Sequence, residues 1–60
     1  MDWVELQRLN AELIELQKQQ RAAERAEDFV LARRYRELFD EAEFRRARLV
    51  RQIAEDLAHA

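Results

Sequence analysis

Two groups of side chains in this sequence are of types that do chemistry. Asp40, Glu41 and Glu43 fall within four consecutive positions, and neighbouring carboxylates are the raw material of general acid–base catalysis. That work needs one carboxyl kept protonated near neutral pH, which takes a pocket. A polar stretch at helical spacing provides none. There is also no Ser, Thr or Cys to act as a nucleophile. The missing cysteines remove thiolate metal sites, and a lone His59 removes paired-histidine ones. With no glycine the chain lacks the loops that cradle phosphates. Neither catalysis nor a cofactor nor a metal is expected.

Arginines form the second group. Arg33, Arg34 and Arg36 surround Tyr35, and Arg45, Arg46, Arg48 and Arg51 follow. A cluster of this kind can neutralise phosphates. However, the net charge is −2 and Glu37, Asp40, Glu41 and Glu43 are interleaved with the arginines. At 100° per residue Arg33 and Arg51 share a side, while Arg34, Arg48 and Arg36 point elsewhere. Glu41 and Arg45 stand at the favourable i,i+4 spacing. A solvated charged face is the first reading. Association with nucleic acid through this arginine-rich stretch is the alternative. The ten-to-one ratio of Arg to Lys fits a GC-rich genome, or bidentate contacts.

The elements that carry these residues are helical. There is no Gly or Pro, and 40% of the chain is charged, as in long helices and coiled coils. Asp2 and Glu5 form a D-x-x-E capping pattern. Leu6, Leu9, Leu13, Leu16, Gln20 and Ala23 then make a heptad seam. A second seam runs through Ala32, Tyr35, Phe39, Ala42, Arg46, Leu49 and Ile53. The seams lose phase at Glu27–Asp28, where Asp28 is a competent N-cap. The expected fold is all-α: one antiparallel two-helix hairpin, with helices over 3–26 and 29–58 and a turn at 27–28. Folding there sets Ala23 against Ala32, Gln20 against Tyr35, Leu16 against Phe39, Leu13 against Ala42, Leu9 against Arg46 and Leu6 against Leu49. Small residues lie beside the turn, where the helices are closest. The alternative is an unbroken helix of about 55 residues in a long coiled coil.

Sixty residues rarely bury a core worth more than ~3–5 kcal/mol, and small chains draw on disulfides, metals or partners for the rest. Only a partner is open to this chain. Leu31, Leu38, Val50 and Leu57 widen the second seam to an apolar arc of about 120°, broader than one helix covers. Pairing into a four-helix bundle or coiled coil is therefore expected, as a homo-oligomer (a dimer first) or with another helical protein. The expected interface comprises Leu13, Leu16, Phe29, Leu31, Tyr35, Leu38, Phe39, Arg46, Leu49, Val50 and Ile53. Phe29 either packs back on Ala26 or anchors the partner. Arg46 either fixes register or rests its stem on Leu9 with its head at Glu43 or Asn10. Trp3 and Phe44 lie off the seams. No stretch reaches the ~20 apolar residues of a membrane span, and the N-terminus has no signal-peptide pattern, so a cytoplasmic location is expected.

Residues 16–42, LQKQQRAAERAEDFVLARRYRELFDEA, resemble the UVR domain. This short helical hairpin occurs in excinuclease subunits B and C and in Clp-type unfoldases and their adaptors. The resemblance is carried by Leu16, Ala23, Asp28-Phe29, Ala32 and Arg36, in register without a gap. This chain departs from the pattern at Gln20 for Met, Val30 for an acid, Tyr35 for Leu, Glu37 for Asp and Ala42 for Leu. The resemblance implies a protein-binding role, with hairpins paired face to face through the aromatic at the turn and the apolar seam. It names no cellular process.

Overall fold

The structure, a computed structural model, describes residues 2–59. It is a hairpin of two α-helices, α1 (Asp2–Arg25) and α2 (Phe29–Ala58), packed along a body 49 × 15 × 11 Å. The all-α hairpin read from the sequence is the fold observed, and the unbroken helix is not. Two boundaries differ by a residue. Asp2 already lies inside α1, so it and Glu5 place acid in the first turn rather than forming a cap box. Negative charge there still opposes the positive end of the helix dipole. At the other end α1 stops at Arg25, leaving Ala26 in the turn.

The turn forms without glycine. Glu27 takes the left-handed conformation, φ 59°. The Glu27 N–H donates to the Glu24 carbonyl (3.0 Å) and the Asp28 N–H to the Ala23 carbonyl (2.9 Å). This pair of bonds is the Schellman closure, which satisfies carbonyls at the helix end. Glycine usually occupies the left-handed site, because a Cβ there costs roughly 1–2 kcal/mol. Asp28 then starts the next helix at once. Its Oδ1 accepts the Leu31 N–H at 3.2 Å, and its carbonyl accepts the Ala32 N–H at 2.9 Å. One residue thus closes α1 with its backbone and caps α2 with its side chain.

The core is a single seam of small and large side chains. Leu9, Ala23, Ala32, Ala42 and Ile53 are buried, and Ala42 has no exposed surface at all. Leu6, Leu13, Leu16 and Gln20 of α1, with Tyr35, Phe39, Arg46 and Leu49 of α2, are half-buried along the same line. These are the residues of the two heptad seams, and the inter-helix bonds Arg45–Glu12 and Arg46–Asn10 join them in an antiparallel fold-back. Alanines at 23, 32 and 42 let the helix axes approach closely. α2 is the longer helix, 30 residues to 24. In its last turns Ile53 is buried and Leu57 is exposed.

Candidate interaction surface

The side chains expected to form an interface fall into three groups. Ile53 is buried within the hairpin. Leu13, Leu16, Tyr35, Leu38, Phe39, Arg46 and Leu49 are half-buried. Phe29, Leu31 and Val50 are exposed, Phe29 to 68%. The wide apolar arc of α2 is therefore covered by α1 only along its middle. Phe44, Trp3 and Ile14 are also exposed.

The hairpin has two long flanks, where one helix turns away from the other. On the first, an open groove is lined by Glu5, Leu9, Arg45, Arg48, Leu49 and Gln52. Arg45 reaches across it to Glu12 at 3.2 Å. Arg45 thus pairs between helices and not, as the i,i+4 spacing suggested, with Glu41. Both partners are about half exposed, so the pair contributes only ~0.2–1 kcal/mol.

On the second flank the groove is lined by Asn10, Leu13, Ile14, Glu43, Arg46 and Ala47. Arg46 sits half-buried at the seam, and its Nε donates to Asn10 Oδ1 at 2.6 Å. A guanidinium in the seam is tolerated because Asn10 accepts from its inner edge while the fork reaches the rim. Of the two partners open to Arg46 in the sequence, Asn10 takes the bond. Among the described residues no ion pair bridges the helices here, and Ile14 stands open in the groove beside Glu43.

The clustered carboxylates singled out in the sequence lie in solvent. The hollow lined by Asp40, Glu41, Phe44 and Arg45 lies on the outer face of α2, and those carboxylates are exposed. Among the described residues no group of three His, Cys, Asp or Glu is placed to hold a metal ion, and no helix is long and apolar enough to cross a membrane. Several arginines of the basic stretches are engaged with acids. Arg33 and Arg34 both lie 3.7 Å from Glu37, and Arg45 is held by Glu12.

Reading the seam alone had passed over Ile14, Arg36 and Glu43. Ile14 is out of phase with the heptads, and the two charged residues counted as solvated surface. Arg36 and Glu43 share a seven-residue recurrence with Phe29 and Val50; no periodic signal marks Ile14. No protein-family model, no curated protein and no solved structure matches this chain.

Proposed function

We propose that this hairpin is a protein–protein interaction module that acts through the apolar side chains α1 leaves uncovered. The observation that carries this reading is the area still exposed. The chain has 5146 Å² of accessible surface, against the ~4200 Å² that size scaling gives for a folded monomer of its mass. A body of 49 × 15 × 11 Å exposes more surface than a compact one of equal mass, and large apolar side chains are part of that exposed surface. Exposed Phe29, Leu31, Val50 and Leu57 supply apolar contact within it. The resemblance to UVR hairpins points the same way, since those pair with other helical hairpins.

Sedimentation equilibrium tests the reading. The chain is expected to exceed its monomer mass of 7.3 kDa at micromolar concentration. Phe39→Ala removes a large seam side chain, and truncations of this kind cost ~3–5 kcal/mol at fully buried sites. At this half-buried site a smaller loss is expected, with weakened association. Changing Arg33 and Arg34 together to Gln should leave assembly intact. The nucleic-acid alternative expects instead that the Arg33 and Arg34 double variant stays folded and oligomeric but loses binding to nucleic acid, with a lower salt slope.

A further inference from the structure

We propose that the second flank docks a second copy of this chain, antiparallel, with α2 lying against α2 of the other molecule. The proposal rests on the interaction-module reading and commits it to one occupant and one geometry. Phe29, Arg36, Glu43 and Val50 recur every seven residues, so they form one stripe, about 31 Å long at the rise of an α-helix. All four are exposed, and Glu43 lines the open groove of this flank. Over residues 29–50 the stripe reads apolar, basic, acidic, apolar, and the exposed Leu57 continues it by one more apolar step.

That order is complementary to itself when reversed. A two-fold axis across α2 between Phe39 and Asp40 sets Phe29 against Val50 of the second copy, and Arg36 against Glu43. Symmetry makes each contact twice. The same stripes laid parallel would set Arg36 on Arg36 and Glu43 on Glu43, and like charges at flanking positions are what coiled coils use to reject a pairing. Among the described residues neither Arg36 nor Glu43 has an ion pair within its own chain, whereas Arg33, Arg34 and Arg45 do. Ile14, 63% exposed, lines the same groove as Glu43. It lies nearly level with the proposed axis, where it would meet Ile14 of the second copy.

Charge reversal tests both the occupant and the orientation. Arg36→Glu alone sets acid against acid at both charged contacts of the stripe, and Glu43→Arg alone sets base against base. Each variant should dimerise about tenfold or more weakly than the parent, at low salt and with unchanged helicity by circular dichroism. Mixed in equal amounts, the two variants should form a heterodimer as tight as the parent dimer, because every charged contact is then acid on base. A chain carrying both reversals should also dimerise like the parent. If each single variant dimerises as well as the parent, or the mixture is no tighter than its components, the docking geometry is wrong and only the broader interaction reading stands. A parent chain that stays monomeric up to hundreds of micromolar overturns this proposal and the self-association reading together.

Discussion

The two flanks of this hairpin are made by the same two helices in the same register, yet they end differently. On the first, Glu12 and Arg45 bridge the helices at the surface, and Glu5 and Gln52 continue a polar margin. On the second, Arg46 turns inward to Asn10, and the margin beyond it carries Ile14 and Val50, with Phe29 and Trp3 toward its two ends. Seam residues decide that two helices pair. The positions one step outside the seam decide whether the pair is finished there or has a further surface to cover. A polar bridge across a margin keeps water as its neighbour. An apolar margin interrupted by a few charges can accept another helix, and the charges then set its direction.

The largest disturbance to both flanks comes from the seam beneath them. Leu9 is buried and also walls the first groove. Leu9→Ala is expected to cost about 2–4 kcal/mol, read as a lowered midpoint in thermal unfolding. A loss under ~1 kcal/mol would mean that the two flanks do not share a single packed seam. A smaller effect separates the flanks from each other. Arg46→Ala removes a half-buried stem and leaves Asn10 without its donor, for an expected cost of about 1–2 kcal/mol. Arg45→Ala breaks an exposed pair and should cost only the ~0.2–1 kcal/mol of that pair, less still in high salt. Equal losses from the two substitutions would abolish the distinction between a surface bridge and a seam anchor. The smallest change expected is a gain. Glu27→Gly relieves the left-handed residue, partly offset by a freer unfolded chain, for a net stabilisation of about 0.5 kcal/mol in chemical denaturation. It leaves both flanks as they are, so association measured in this background should follow the parent. A destabilised Glu27→Gly variant would show that the turn is held by the Glu27 side chain rather than by the Schellman bonds.

Much of the fold is legible in the residues. Apolar positions in steps of three and four give both helices, and Asp28 marks the start of the second. The alanines at 23, 32 and 42 indicate where the axes come close. The candidate surface is legible only in part. Phe29, Leu31 and Val50 were expected at an interface and are exposed, whereas Ile53 was expected there and is enclosed by α1. Arg45 has an acid four residues away and another across the groove, and spacing along the chain speaks only for the first. Glu27 carries no sign of a left-handed residue, since glutamate has no preference for that conformation. Its place is imposed by the bonds at Ala23 and Glu24 and by the cap that follows.

The sequence by itself determined that the chain is helical, where each helix has its apolar line, and which residues can face each other if the chain folds back at Asp28. These are local or periodic properties, set within a few turns by backbone geometry and side-chain type. Only the tertiary structure decided how far each helix is rotated about its own axis against the other. That rotation chose Glu12 for Arg45 and Asn10 for Arg46, enclosed Ile53, and left Val50 and Ile14 open along one flank. The cause is that α1 is too narrow to cover an arc of about 120° on α2. The side that remains uncovered therefore depends on contacts between residues more than thirty positions apart, such as Arg45 with Glu12 and Arg46 with Asn10.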